Sequence, residues 1–463
     1  DMNFTMIRNW VGQIGDKEFY EACDRHGIMV WQDFWLANPV DGPNPYYTEM
    51  FNANACDYLK RIRNHPSIGI YVGRNEGNPP AGIDDYLRGL VFREHPGLYY
   101  ISNSAMGVVS GGGPYRALSP KSYFQSYGHD KFHSERGMPN VMNYESMLLT
   151  FGTDKIEPVN TSETPNPVYG LHDYTLGGGK GSSAQAASSF NDMIEKAFGR
   201  PRDAKQFAEW AQWINYDGYR AIFEGRSEHR RGMLLWMSHS AWPSMVWQTY
   251  DYYFDPNAAY FGCKKASEPL HIQWNPLRDD IEVVNYHAFD RTGLTATASL
   301  FNQDGTLQWT RETKLDIKED QTVACFPLEQ PETLSDTYFI KLSLTDSDGK
   351  QLSDNFYWRG KEDGNYKSLL QLPKVSVCKN VTVKKTGKEW LIRAVLKNEA
   401  RTPALMLRLK VAGEKSGRML LPVFYSDNYF SLLPGEVKEV DIRLYDADTY
   451  GEKPVLEVLG FNL

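Results

Sequence analysis

The feature that most constrains this chain of 463 residues is a change in hydrophobic periodicity near residue 270. Before that point, short apolar runs alternate with segments whose apolar residues recur every three or four positions. This alternation predicts βαβ units and a parallel sheet. After that point the helical period stops, and short alternating runs separated by turns predict antiparallel β-structure.

Seven apolar runs in the first part are candidate parallel strands. Residues 1–270 come close to the length of about 250 residues that is typical of a (β/α)8 TIM barrel, and we expect that α/β fold. The predicted strands are Phe4–Arg8, Ile28–Gln32, Ile68–Val72, Leu98–Ser102, one near Tyr115, Lys131–Ser134 and Met233–Met237. The predicted helices are Asp16–His26, Tyr46–Arg63, Asp84–Glu94 and Asp203–Phe223.

The second part has the length of two immunoglobulin-like β-sandwiches, which we place at residues 271–367 and 368–463. Turn-forming residues at 302–305 and 346–349 predict hairpins. The second turn is rich in Asp but lacks the ligand spacing of a calcium loop. Between Pro158 and Gly181, the abundance of Pro, Gly, Ser and Thr predicts a long surface loop near the barrel mouth.

Charge and composition exclude several classes of partner. The net charge is −8 and no Lys/Arg-rich run occurs, so we expect neither nucleic acid nor an anionic membrane as a partner. No apolar run has transmembrane length. The five cysteines form neither a disulfide framework nor a zinc pattern. Aromatic residues make up 13% of the chain, and such rings either fill the core or stack on sugar rings.

Two carboxylates follow two of the predicted strands. Glu76 comes after Ile68–Val72, and Glu135 comes directly after Lys131–Ser134. Active sites of TIM barrels lie at the carboxyl ends of the strands. Two carboxylates there suit cleavage of a glycoside by double displacement. The alternative is that each Glu is a surface carboxylate or a residue that stabilises a helix N-terminus.

The motifs around these carboxylates resemble those of glycoside hydrolase family 2, in its β-mannosidase and exo-β-glucosaminidase branch. They occur in family order over most of the first part, and the last one lies in the tail. The motifs are M-I-R-N-W (Met6–Trp10), G-I-M-V-W-Q-D-F (Gly27–Phe34), H-P-S-I-G-I-Y-V-G-R-N-E (His65–Glu76), G-P-Y (Gly113–Tyr115), F-H-S-E-R-G-M-P (Phe132–Pro139), L-W-M-S-H-S-A-W-P-S (Leu235–Ser244), the run Trp247–Leu270 and F-Y-S-D-N-Y-F (Phe424–Phe430).

The resemblance implies roles for individual residues. Glu76 matches the acid/base, Asn75 the residue that binds the sugar 2-hydroxyl, and Glu135 the nucleophile. Glu145 is a rival nucleophile, but it follows Pro139 by six residues and is expected within the next helix. The remaining expected substrate-binding residues are Arg8 beside the nucleophile, Trp236 on the floor of the subsite, and Trp10, Asp33, Tyr115 and Trp242 in the pocket.

The expected function is that of a retaining exo-β-glycoside hydrolase without metal or other cofactor, acting on an oligosaccharide or glycoside. Asn75 favours a β-mannoside, whereas the G-P-Y motif and the run after Trp247 favour a β-glucosaminide. The alternative is a non-catalytic carbohydrate-binding or scaffold protein with a degenerate barrel. A barrel isomerase or aldolase would need a Schiff-base Lys, metal ligands or a phosphate loop, and the sequence shows none.

Two expectations concern the start of the chain. A (β/α)8 barrel has eight strands, and in the resembling family Met6–Trp10 looks like the second. We therefore expect the first strand and further N-terminal domains of the same protein to lie upstream. A secretion signal would lie upstream as well, so we expect a periplasmic or secreted protein although residues 1–4 are not a leader. The run Asn9, Val11–Gln13 departs from the family's Gly-rich pattern, which leaves the shape of that subsite open.

Overall fold

The computed structural model describes residues 1–113, 115–126, 131–176, 187–228 and 231–463. Among these residues, seven strands precede residue 270: β1 (Met6–Asn9), β2 (Met29–Asp33), β3 (Ile68–Arg74), β4 (Tyr99–Asn103), β5 (Val109–Ser110), β6 (Phe132–Arg136) and β7 (Met233–Leu235). The helices are α1 (Lys17–His26), α2 (Thr48–Ile62), α3 (Ala81–Glu94), α4 (Pro120–Gln125), α5 (Tyr144–Phe151), α6 (Pro167–Gly170), α7 (Ser188–Phe198), α8 (Ala204–Glu224) and α9 (Ala258–Ala266).

The first seven strands form two parallel sheets, β1-β2-β3-β4 and β5-β6-β7. One apolar cluster takes side chains from all seven strands. Its members are Met6, Trp31, Ile70, Val72, Ile101, Val109, Phe132 and Leu234. The opposite face of the first sheet packs on α1, α2 and α3 through a second cluster. The sheet is therefore covered on both faces, as parallel sheets require.

The sequence located most of these elements, because their boundaries are marked locally. Helix α1 ends where predicted, at Gly27, which adopts a left-handed φ of 66°. Helix α8 begins after Asp203, whose side chain accepts a 2.8 Å hydrogen bond from the Gln206 amide.

Two predicted segments differ in detail from the structure. The strand expected near Tyr115 is Val109–Ser110, and Tyr115 itself follows it in an irregular segment. The segment Pro158–Gly181 is not merely a surface loop, because it contains α6 and buries Tyr169 and Tyr174 in the core. Its last residues, 177–181, lie outside the described residues, as does Pro114 of the G-P-Y motif.

The second part is built from antiparallel strands. The first group is β8 (Leu270–Asn275), β9 (Asp280–Asn285), β10 (Arg291–Asn302), β11 (Leu307–Ile317), β12 (Gln321–Pro327), β13 (Thr337–Thr345) and β14 (Gln351–Gly360). They form sheets of order β11-β10-β13-β14 and β12-β9-β8. The predicted hairpin turns join β10 to β11 and β13 to β14.

The second group is β15 (Val377–Thr386), β16 (Glu389–Asn398), β17 (Ala404–Gly413), β18 (Phe424–Tyr425), β19 (Phe430–Leu432), β20 (Val437–Tyr445) and β21 (Pro454–Leu459). Its sheets have the order β15-β16-β20-β18 and β19-β17-β21.

Helix α8 joins the two parts of the structure. Its Trp213 packs edge-to-face on Trp358 of β14, with ring centroids 4.7 Å apart. Arg220 donates a 2.9 Å hydrogen bond to Asn355 Oδ1, and Arg359 contacts the Asp217 carboxylate at 3.0 Å. These charged side chains are buried and paired, as burial of a charge requires.

Candidate active site

Arg8, at the carboxyl end of β1, connects three other strand ends. Its Nη1 donates a 2.6 Å hydrogen bond to Glu135 Oε1, and its Nη2 donates 2.7 Å bonds to Asn75 Oδ1 and Asp33 Oδ2. A guanidinium can make these contacts at once because its donors are fixed in one plane. Arg8 therefore brings the ends of β2, β3 and β6 to one point.

Glu135 is a buried carboxylate at the end of β6, with 4% of its surface exposed. Its Oε2 accepts a 2.5 Å hydrogen bond from the Tyr115 hydroxyl. Burial raises the pKa of Glu135, whereas the charge of Arg8 and the Tyr115 hydrogen bond act in the opposite direction. Burial likewise raises the pKa of the Tyr115 hydroxyl, and the Glu135 charge adds to that shift, so Tyr115 remains a donor.

The acidic group of Glu76 lies close to this pair. Its charge contributes to the raised pKa of both Glu135 and Tyr115. Glu76 has a left-handed φ of 45°, and its Oε1 is buried without a hydrogen-bond partner among the described residues. Backbone strain and an unsatisfied carboxylate both cost free energy, and both are concentrated at functional sites.

Ser104, which follows β4, fixes the end of β3. Its hydroxyl donates a 3.1 Å hydrogen bond to Asn75 Oδ1 and accepts a 2.9 Å bond from the Glu76 amide. Sequence reasoning missed Ser104. The available signal was a small polar residue after an apolar run, which is common in turns and points to no particular chemistry.

Three of the predicted pocket aromatics take part in two edge-to-face pairs. Trp10 and Trp236 pack edge-to-face with centroids 5.2 Å apart, and Tyr115 packs in the same way on Trp247 at 5.6 Å. The Trp10 Nε1 is buried without a hydrogen-bond partner among the described residues. The backbone of Trp236 lies so close to Gly137 that a Cβ there would come within 2.0 Å of the Trp236 carbonyl oxygen.

The Asp33 carboxylate is bonded to Arg8, to the Trp31 indole and to the Val11 amide. Its exposed fraction is 0%, and both of its oxygens are already bonded. Oδ1 accepts from Trp31 Nε1 at 2.7 Å, while Oδ2 accepts from Arg8 and from the Val11 amide at 3.0 Å. Asp33 therefore positions Arg8 and the turn that carries Trp10.

Trp242 is 44% exposed and stacks on His172, with centroids 5.9 Å apart. Within the described residues it is not brought into contact with Arg8, Glu76 or Glu135. The rival carboxylate Glu145 lies in the first turn of α5, as predicted, where it pairs with Arg408 and Lys410.

The described residues hold no group of three or more His, Cys, Asp or Glu side chains suited to a metal ion. Within the same part of the chain, no helix is both long enough and apolar enough to cross a membrane.

Known proteins resemble this chain along its whole length. The sequence profile of the exo-β-D-glucosaminidase Ig-fold domain matches residues 355–463. The mannosylglycoprotein endo-β-mannosidase of Lilium longiflorum is 26% identical, over 100% of this chain and 60% of its own length. The exo-β-D-glucosaminidase of Streptomyces avermitilis is 28% identical, over 100% of this chain and 56% of its own length. The resemblance to glycoside hydrolase family 2 is confirmed.

Two solved structures share the fold. The exo-chitosanase CsxA of Amycolatopsis orientalis superposes with a TM-score of 0.87 at 24% identity, covering 100% of this chain and 59% of CsxA. The β-D-mannosidase of Dictyoglomus thermophilum superposes with a TM-score of 0.75 at 20% identity, covering 99% of this chain and 56% of the mannosidase. The chain thus spans somewhat more than half the length of these relatives.

Proposed function

We propose that this protein is a retaining, exo-acting β-glycoside hydrolase that works by double displacement. Glu135 is the nucleophile and Glu76 is the acid/base. The observation that carries the proposal is that Arg8 donates hydrogen bonds both to Glu135 and to Asn75, the residue before Glu76. Burying a carboxylate costs free energy, and the carboxyl ends of parallel strands, where Glu135 lies, are the places where barrel enzymes hold their catalytic groups.

In the first step, Glu135 attacks the anomeric carbon while the protonated Glu76 gives its proton to the leaving oxygen. The glycosidic bond breaks, and an ester forms between the sugar and Glu135. In the second step, Glu76 removes a proton from water, and the hydroxide displaces Glu135 at the anomeric carbon. Both glutamates end in their starting states, so no cofactor is consumed.

Asn75 favours a substrate with a free 2-hydroxyl, as in a β-mannoside. Its Oδ1 already accepts from the Arg8 guanidinium and the Ser104 hydroxyl, so its amide NH2 is the group left to donate. A hydroxyl oxygen can accept from that group, whereas a protonated 2-amino group cannot. A β-glucosaminide is the second candidate, because an exo-β-D-glucosaminidase Ig-fold profile matches the tail.

The two parallel sheets are proposed to be part of a (β/α)8 barrel, to which the described residues contribute seven strands. Support comes from the apolar cluster shared by all seven. The proposed boundaries of the three units are those predicted from the sequence, 1–270, 271–367 and 368–463. Location in the periplasm or outside the cell stays a prediction.

A panel of 4-nitrophenyl β-glycosides tests this proposal. Release of nitrophenol from the β-mannoside is expected, with slower or no release from the β-glucosaminide. Proton NMR of the first product should show the β-anomer, because two displacements retain configuration. Absence of hydrolysis across the panel and on β-linked oligosaccharides would favour a carbohydrate-binding protein instead.

A further inference from the structure

A segment with exposed aromatic rings borders the proposed acid/base on both sides. It comprises residues 36–47 and connects β2 to α2. The amide of Asn75, just before Glu76, donates a 2.9 Å hydrogen bond to the Leu36 carbonyl. On the other side of Glu76, Gly77 approaches the segment so closely that a Cβ would lie 2.9 Å from Pro39 Cδ.

Arg74 fixes this segment to the end of β3. It is 3% exposed, and its Nε donates a 2.7 Å hydrogen bond to the Ala37 carbonyl. Its Nη1 donates a 2.7 Å bond to Asn44 Oδ1, and its Nη2 a 3.4 Å bond to the Gly42 carbonyl. Burial lowers the pKa of Arg74. Placing a cation there costs free energy, which its hydrogen bonds to the segment offset.

The chemistry of the reaction indicates which part of a substrate would lie near this segment. An acid/base must reach the oxygen between the cleaved sugar and its leaving group, so the leaving group lies on its side of the cleft. The 36–47 segment contacts Asn75 and Gly77, the two chain neighbours of Glu76, which places it near that side of the cleft. The segment carries Tyr46 and Tyr47, which are 89% and 71% exposed, and a single charged residue, Asp41.

We propose that the 36–47 segment is the binding surface for the leaving group, and that its occupant is an uncharged sugar ring stacked on Tyr46 or Tyr47. Exposed aromatic faces suit the apolar face of a pyranose, and their hydroxyls suit its polar edge. Arg74 is a positioning residue that holds the segment against Glu76. This inference rests on the proposed hydrolase function.

The test compares two substrates that share the cleaved sugar. One is a β-1,4-linked disaccharide and the other the methyl β-glycoside, for example β-1,4-mannobiose and methyl β-D-mannoside. In the Tyr46→Ala/Tyr47→Ala variant, kcat/KM for the disaccharide should fall about tenfold, the effect expected from losing aromatic contacts. The methyl glycoside has no ring to stack, and its kcat/KM should change less than about twofold.

The matched control is Tyr99→Ala, because Tyr99 is 69% exposed but begins β4, at the amino ends of the strands. Asn44→Ala, which removes the acceptor of an Arg74 bond, should reproduce part of the selective loss. Equal losses on the two substrates, or none on either, would overturn the inference while leaving an active hydrolase. A wild-type protein that cleaves no glycoside would instead refute the proposed function itself.

Discussion

Arg408, on β17 in the last group of strands, donates a 2.7 Å hydrogen bond to Glu145 in the first turn of α5. Lys410 adds a second contact of 3.1 Å. Burial alone would raise the pKa of Glu145, but the two cations outweigh it and lower the pKa to about 2. Glu145 thus ties the tail to the first part of the structure.

This pairing predicts a pH-dependent stability. Because the folded pKa of Glu145 lies below its ordinary value of 4.5, the contribution is full above about pH 4.5 and is lost as the pH falls towards 2. Glu145→Gln should lower the free energy of unfolding by about 2–3 kcal/mol at pH 7, and by progressively less below pH 4.5. Urea unfolding at several pH values measures this difference.

The control for that measurement is Glu163→Gln, because Glu163 pairs with Arg200 while 75% of its side chain is exposed. Exposed ion pairs contribute little to stability. A loss at pH 7 that is no larger for Glu145→Gln than for this control would contradict the role of Glu145.

A second prediction concerns the two proposed catalytic glutamates. Glu135→Ala should abolish turnover, and added azide should restore it only by forming an α-glycosyl azide. Glu76→Ala should still react rapidly with an activated leaving group, and azide should then give the β-azide. If either variant stays within about tenfold of wild type on an unactivated substrate, the assignment is wrong, because general acid–base catalysis contributes roughly 10²–10⁴.

The geometry of the same pair provides an independent check. A crystal structure should place the carboxyl groups of Glu76 and Glu135 about 5–5.5 Å apart, the separation for direct attack. A separation of about 6.5–9.5 Å would leave room for a water and would imply inversion.

Arg8 should control the acidic limb of the pH–rate profile. Its charge lowers the pKa of Glu135 against the effect of burial, so Arg8→Gln should raise that pKa further. The nucleophile must be ionised, and the acidic limb of kcat/KM should therefore move to higher pH. Tyr115→Phe should move it in the same direction, because the lost hydrogen bond also favours the ionised form. An acidic limb that does not move in either variant would argue against Glu135 as the titrating group.

Gly137 should tolerate no side chain. The Cβ of Gly137→Ala would lie 2.0 Å from the Trp236 carbonyl oxygen, so one of the two backbones must move. We expect a lower midpoint of thermal unfolding and a reduced kcat/KM, since Trp236 would shift with its backbone. Gly82→Ala is the matched control, because nothing lies within 4 Å of its Cβ and it is in α3. That change should be neutral or stabilise by about 0.5–1 kcal/mol, and equal losses in both variants would refute the prediction.

The site residues that the structure brings together are those that the sequence places at strand ends. Arg8, Asn75 and Glu135 each follow or end an apolar run, and parallel strands bring such ends to the same edge. The structure joins these three by direct hydrogen bonds.

The environment of a side chain was harder to predict, because it depends on distant partners. Asp33 also lies at a strand end, but its carboxylate is bonded to Arg8 and to the Trp31 indole. Trp242 packs on His172, which is 70 positions earlier in the chain. Neither contact has a local sequence signature, so the sequence predicts only that both residues lie in the pocket.

The burial of α8 has a consequence for how chains of this architecture can be recombined. One side of this helix packs within the first part of the chain, while Trp213, Asp217 and Arg220 contact β14. Exchanging the strands after residue 270 for those of a distant relative would leave Asp217 without Arg359 and Arg220 without Asn355. The two parts should therefore be inherited together, and substitutions on one side of this boundary should be accompanied by compensating changes on the other.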